Sequence, residues 1–511
     1  MRAHNTMKRP YLREMRAFHS WVGLFLGWIL FGVLLTGSLA VFHTELDQWG
    51  LTELSFAKPV APEQAVAQSV EYLSAHAPDA RLWRITLPDE RDPYLRAAYK
   101  TASGGMVEAI LNSGPQPFIV RNEQLGSFFL LYHSHLLLKR TLTQIGLFLV
   151  GAAGIAMLCV CISGVWSHIK VFAEFFTFRP GKNKHRAWLD LHTVLGILPL
   201  PFHLMISYTG LIMLYWLYVP SAASVIYGNN LSTFRQEALG TYSMVFPAQK
   251  GPAAPLFSLT TLLHDAQSHW GQGAIAKIYV RDPFYKGAIV EFWHERAHQV
   301  GQQYARRVYN GATGQLIVQN MPLTFVARVQ SVLAGLHWVE WGGASIRWCY
   351  ALAGLMGAGS VATGLILYTQ KQSRAVQNTV LVTVARKLNV CALLGFSCAC
   401  LSVFWAERLL PYTWPQRNVL LPVVFLGVWF ASVVHAFLTP TRLGWVHQGC
   451  LFITLCGLLP LTGWYRHMSL LSACMLGHWS VVVVDVSALV IALLGCLVLY
   501  RVCLHNRVLK A

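Results

Sequence analysis

Eight long apolar runs govern what this chain can fold into: residues 18–42, 142–166, 189–218, 346–368, 388–406, 419–438, 445–464 and 476–500. A helix needs roughly 20 apolar residues to cross about 30 Å of hydrocarbon. In lipid the backbone must satisfy its own hydrogen bonds, so runs of this length read as spanning helices. The expected fold class is an α-helical polytopic membrane protein with about eight spans. A soluble multidomain chain would carry roughly a quarter charged residues, and this one carries 12%.

The net charge of +18 is distributed by segment. Residues 1–18 and 167–188 hold five Lys or Arg each, 370–388 hold four and 501–511 hold three; Glu14 and Glu174 are the acids among them. Residues 43–140 and 218–340 hold nine basic residues each against eleven and six acids. Basic loops alternate with balanced ones, as the positive-inside bias requires. That pattern accounts for the basicity without nucleic acid and places both termini inside and the two long loops outside. The chain divides as 1–17 inside, 18–42 first span, 43–141 first outer module, 142–166 second span and 167–188 inside. It continues as 189–218 third span, 219–345 second outer module, 346–368 fourth span, 369–387 inside, 388–500 four further spans and 501–511 an inner tail. The first run is too long for a signal-peptide core and reads as an uncleaved anchor. None of the eleven cysteines lies in a long outer loop, and no CxxC or CxxCH occurs. A disulfide scaffold outside and covalently attached haem are therefore not expected.

The first 370 residues repeat. His19, Gly23 and Thr36-Gly37 in the first span match His192, Gly196 and Thr209-Gly210 in the third, both as H-x3-G-x12-T-G. Gly154 and Ser163-Gly164 match Gly354 and Thr363-Gly364 in the second and fourth. Each outer loop reads as a small α/β module. The first has a helix at 63–76 and strands at 82–87, 94–100 and 106–111. The second has a helix at 259–270, strands at 274–280, 287–293 and 304–309, and a turn at 310–314 into a short last strand. Parallel repeats imply a pseudo-twofold axis along the membrane normal.

Ionisable side chains at spans are functional candidates by default, and the repeat singles out four of twenty histidines. His19 and His192 are equivalent and lie at the inner ends of their spans. On the outer side His337 precedes the fourth span, and its counterpart is His133 or His135. Aligning the glycine pattern puts His337 opposite Leu137; His133 is one helical turn from that position and His135 about 200° round, which favours His133. The pairs His19–His192 and His133–His337 suit axial ligation of two haems, one near each face, since neutral imidazole binds iron well. His203, eleven residues after His192, is an alternate ligand beyond a kink expected at Pro199 and Pro201. His43, His168 and His185 read as interfacial, and His435, His447, His467 and His478 as structural. Asp190 reads as an N-cap of the third span, or as a partner of His192. Trp293, Trp338, Trp341 and Arg281 are candidates for a substrate surface above the outer pair. The four C-terminal spans show no comparable pattern and are assigned no chemistry.

These motifs resemble the PepSY-associated transmembrane proteins, also described as iron-regulated membrane proteins. The resemblance lies in Phe18-His19-Ser20-Trp21-Val22-Gly23, Tyr132-His133-Ser134-His135-Leu136, Trp188-Leu189-Asp190-Leu191-His192, the two Thr-Gly pairs and Leu336-His337 with Gly342-Gly343. It covers about residues 10–370 and includes the loops, which look like PepSY modules. It implies a siderophore reductase of the bacterial inner membrane with periplasmic modules and two b-type haems. Such a protein reduces ferric siderophore iron on the periplasmic side, and the family pattern also favours His133 over His135. The four extra spans depart from that pattern. No GxGxxG follows a predicted strand, so electrons are expected from a cytoplasmic flavoprotein, a small reductant or quinol. The competing readings are a haem-free transporter of an iron–siderophore complex and a PepSY peptide-binding or regulatory protein.

Overall fold

The structure, a computed structural model, describes residues 3–51, 54, 60–112, 117–119, 124–138, 142–167, 184–218, 225–228, 230, 233, 251–294, 300–301, 305–319, 324–375, 379–411, 414 and 417–508. His168 and most of the inner loop after the second span lie outside them. In chain order the elements of the first half are α1 (Ala3–Ala40), α2 (His43–Gly50), α3 (Pro62–His76), β1 (Leu82–Thr86), β2 (Arg96–Lys100), β3 (Met106–Ile110), β4 (Phe118–Ile119), α4 (Leu125–His135), α5 (Thr143–Ser167), α6 (Lys184–Ile197) and α7 (Leu200–Met213). They continue as α8 (Leu259–Trp270), β5 (Ile275–Arg281), β6 (Ile289–His294), β7 (Arg306–Asn310), β8 (Leu316–Gln319), α9 (Phe325–Trp338), α10 (Ala344–Ala375), α11 (Val380–Asn389), α12 (Phe396–Leu409), α13 (Arg417–Leu438), α14 (Thr441–Leu458) and α15 (Trp479–Val508).

The chain forms two compact units. One comprises Met1–Thr52, Glu123–Leu214 and Ser345–Ala511, and the other Glu53–Asn122 and Tyr215–Ala344. Among the described residues of the helical unit, seven helices are long and apolar enough to cross a membrane. His185–Ile197 and Leu200–Met213, bent by 57°, make an eighth if taken as one span. The bend falls where Pro199 and Pro201 remove backbone donors.

The repeat shows in how the first four spans pack. Gly154 on α5 lies under Leu211 on α7, and Gly354 on α10 lies under Ser38 on α1. Leu211 and Ser38 occupy the same repeat position, so each glycine makes room for its equivalent neighbour. The fifth span, expected from hydropathy at 388–406, has one feature that hydropathy did not reveal. Between α11 and α12 the helix widens into a π segment, Val390–Gly395. The Trp429 indole N–H donates to the Cys391 carbonyl there, 3.1 Å away. Asn389 just before it accepts from Trp28 Nε1 (2.9 Å) and donates to the Leu365 carbonyl (3.1 Å), tying α1 and α10 to this span. A buried amide satisfied on both sides is stabilising, whereas an unsatisfied one costs about 1–3 kcal/mol.

The other unit corrects an expectation. The loops do not close as separate modules: their strands form one antiparallel sheet in the order β4-β3-β2-β1-β5-β6-β7-β8. The first strand of each loop, β1 and β5, has no second neighbour within its own loop, and they pair with each other, Ile85 opposite Ile278 and Trp83 opposite Val280. An unpaired edge exposes a row of donors and acceptors, and this pairing removes two edges at once. Both helices share one core, in which Val66 and Leu73 of α3 meet Leu262 and Leu263 of α8 over Trp83, Ile278 and Phe292. Pro62 opens α3 at its first turn, where a missing N–H costs nothing. Ser258 caps α8 by accepting from the Thr261 N–H. Asp265 on α8 accepts from the Tyr309 hydroxyl (2.6 Å) and from Arg307 (2.8 Å), pinning the helix to β7.

Candidate metal centre

His19 on α1 and His192 on α6 meet inside the helical unit, with ring centroids 6.1 Å apart and ring planes at 76°. Each imidazole is fixed from the next span of its own repeat. His19 Nδ1 lies 3.1 Å from the Val160 carbonyl and 3.2 Å from Ser163 Oγ on α5. His192 Nδ1 lies 2.8 Å from the Ser360 carbonyl and 3.3 Å from Thr363 Oγ1 on α10. A carbonyl can only accept, so both Nδ1 atoms carry the proton and the lone pair sits on Nε2. This is the arrangement in which metal-ligating histidines are usually held. Gly164 and Gly364 give the rings their seats: a Cβ there would stand 3.2 Å from His19 Cε1 and 3.1 Å from His192 Cε1. The matching Ser163-Gly164 and Thr363-Gly364 pairs are thus imidazole seats.

Both histidines line a cavity of about 810 Å³. Its depth is apolar and glycine-rich, with Gly23, Gly27, Leu30, Met157 and Gly196 on the wall, and its basic residues are Arg13, Arg16, His185 and Lys371. Among the described lining residues none is a carboxylate. A Cβ at Gly23 would meet nothing within 4 Å.

His203 lines the same cavity in the opposite sense. Its Nε2 donates to the Ala353 carbonyl at 3.0 Å, and Gly357 leaves room for the ring. The first repeat has Leu30 at this position, packed with Met157. His133, on α4, repeats the His19 arrangement: its Nδ1 lies 2.9 Å from the Val33 carbonyl. A Cβ at Gly37 would stand 2.7 Å from the same nitrogen, so the Thr36-Gly37 pair also seats a histidine. Burial holds the His133 imidazole below its ordinary pKa, against the raising effect of Val33, which keeps it neutral near pH 7. His135 turns its Nδ1 to the neighbouring Ser134 hydroxyl, 2.7 Å away. His337 lies in the last turn of α9 in the sheet unit.

Asp190 is not an N-cap. The helix begins six residues earlier, at Lys184, and Asp190 is buried and paired with Arg186 one turn away at 3.1 Å. His435 and His447 form an interhelical hydrogen bond of 3.2 Å with centroids 5.4 Å apart. In the sheet unit Trp293 packs at a 42° tilt against Tyr279 with centroids 4.6 Å apart, under the Arg306 guanidinium at 4.2 Å. Arg281 pairs with Glu291 at 3.1 Å. Trp341 donates to the Gly335 carbonyl.

Among the described residues no group of three or more His, Cys, Asp or Glu side chains is placed to hold a metal ion. His19 and His192 offer two ligands, enough for a metal whose other donors come from a cofactor. The family model of the PepSY-associated TM region matches residues 16–371. An uncharacterized protein of Pseudomonas aeruginosa is 27% identical over 309 residues, which is 58% of this chain and 76% of that protein. Together with at least seven helices fit to cross a membrane, the match shows a multi-pass membrane protein that belongs to the PepSY-associated transmembrane family.

Proposed function

We propose that this protein is a membrane cytochrome with two b-type haems that carries electrons across the bacterial inner membrane to ferric iron in a periplasmic siderophore. The carrying observation is the His19–His192 pair. Their ring centroids stand 6.1 Å apart, and the two residues would hold a haem iron through their imidazoles, which suit iron well. The pair sits in one cavity with both Nδ1 atoms tied to carbonyls. The glycine-lined apolar depth suits a flat macrocycle, and the Arg13, Arg16 and Lys371 cations suit its two carboxylates.

When bound, haem supplies reversible one-electron chemistry. The chain's residues do the rest. Val160 and Ser360 fix the tautomer and direction of the inner imidazoles. His133, held by Val33 and seated at Gly37, offers the same arrangement for an outer centre, and the sequence repeat names His337 as its partner. The substrate class comes from the resemblance. One electron converts the ferric ion to the ferrous one, for which siderophore oxygen donors have far less affinity.

Purified protein should be red, with a sharp α-band on reduction and about two b-type haems per chain. Colourless protein that retains its fold would refute this function.

A further inference from the structure

A cluster of buried polar groups joins the C-terminal spans to the segment just after the first span. Trp49 on α2 is fully buried. Its indole N–H donates to Asp485 Oδ1 on α15 at 2.8 Å, and its carbonyl accepts from Arg408 Nη2 on α12 at 3.0 Å. The Arg408 guanidinium lies 3.7 Å over its ring. Arg408 and Asp485 are themselves fully buried, 4.0 Å apart. Next to Trp49, Gln48 accepts from Ser480 on α15. Charges in a span are costly and are kept where they hold something in place. What these hold is α2.

α2 in turn holds α4. Asp47 Oδ1 accepts from the Gly126 N–H at the start of α4, at 2.7 Å. At Gly126 the two backbones are so close that a Cβ would strike the His43 carbonyl. The opposite side of α4 is packed by the C-terminal spans themselves. Phe129 meets Phe404 with centroids 5.5 Å apart, Phe128 meets Phe425 at 5.5 Å, and Tyr132 meets Phe396 at 5.1 Å. α4 is therefore gripped at its N-terminus through α2 and along one face by α12 and α13, while His133 points at α1. The family match ends at residue 371, and every gripping group on α12, α13 and α15 lies beyond it.

We propose that three of the C-terminal spans, α12, α13 and α15, are a brace that fixes α4, and with it the His133 imidazole, and that Asp485, Arg408 and Trp49 are positioning residues for the outer centre. The consequence for that centre rests on the haem reading above; the brace itself does not.

The test uses the full chain in lipid nanodiscs, with Asp485→Leu, which removes the acceptor for Trp49, and Asp485→Asn, which keeps one. Hydrogen exchange is followed in residues 125–135 and, as an internal reference, in 189–197. Asp485→Leu should speed exchange in 125–135 by about tenfold or more, as expected for local opening, and leave 189–197 unchanged, while Asp485→Asn stays near wild type. In the same samples the midpoint potential of the outer haem should move and that of the inner haem should not. Unchanged exchange in 125–135 overturns the brace, as does an equal rise in 189–197. Faster exchange with an unmoved outer potential overturns the positioning role. Protein without haem that still shows the exchange effect keeps the brace and removes the haem reading.

Discussion

Val160 and Ser360 occupy the same place in the two repeats, and each turns its carbonyl onto the Nδ1 of a histidine from the preceding span. A helix carbonyl already accepts one bond from its own helix, and its second lone pair takes the imidazole proton. The cost to the helix is small, and the gain is a ring that cannot turn over. The duplication thereby holds two imidazoles in the same way, with Ser163 replaced by Thr363 beside the ring.

On the proposal that His19 and His192 hold one haem, replacing either with Ala should have the same result. Haem content should fall from about two to about one per chain, and the remaining spectrum should be identical in the two variants. A pyridine haemochrome assay and low-temperature absorption spectra measure both. Loss of different centres in the two variants would show that the rings do not share an iron.

The seats should matter as much as the ligands. Gly37→Ala puts a carbon 2.7 Å from His133 Nδ1, whereas Gly164→Ala and Gly364→Ala put one 3.2 Å and 3.1 Å from Cε1 of the inner rings. Overpacking of this kind costs about 1–3 kcal/mol. Gly37→Ala should weaken the outer centre strongly, and the other two should shift the inner one only modestly. Redox titration of each variant separates these outcomes.

His203→Leu should keep both haems. The Nε2 of this histidine is committed to the Ala353 carbonyl, and the first repeat carries Leu30 in its place. A stability loss of about 1 kcal/mol with unchanged haem content is expected by thermal melting and absorption. Loss of a haem would make His203 an axial ligand.

The sheet unit should have an acid-sensitive clamp. The Tyr309 hydroxyl, followed by Arg307, holds the Asp265 carboxyl below its ordinary pKa. A depressed folded value means that the stabilisation is complete above the unfolded value of about 4 and is lost as pH falls through the folded one. Asp265 is half exposed, so the effect is modest. Thermal melts of wild type should fall more steeply below pH 4 than those of Asp265→Asn, which has no carboxylate to lose. Parallel curves would show that the clamp contributes nothing.

Hydropathy made the apolar runs legible, but the first and fifth spanning helices begin earlier than expected, at Tyr11 rather than residue 18 and at Val380 rather than residue 388; the kink at Pro199 followed from the missing donor. The helix 259–270 was legible because its cap, apolar period and glycine stop all agree. The His, Ser/Thr and Gly positions of the repeat were visible as a pattern. What the glycines do was not, since a seat for a ring from another span leaves no local signal. Asp190 was misread because the basic stretch before it looked like loop, whereas the helix starts at Lys184. The brace escaped notice because the fifth span was ended at Ala406, which left Arg408 outside it; the helix runs on to Leu409. An intramembrane Asp485 was the available clue, and its partner lay two residues past the assumed edge. The β1–β5 pairing joins positions too far apart for any local pattern to announce.

That pairing has a consequence for how the protein is made. Thr86 finds its partner Lys277 about 190 residues further along the chain. During synthesis the first loop therefore waits with β1 unpaired until two more spans have been inserted and the second loop has emerged. A long-lived open strand of this kind invites wrong partners. Maturation of this unit should accordingly be slow and dependent on chaperones that shield strand edges, and a chain truncated before residue 275 should be degraded rather than accumulate half-built.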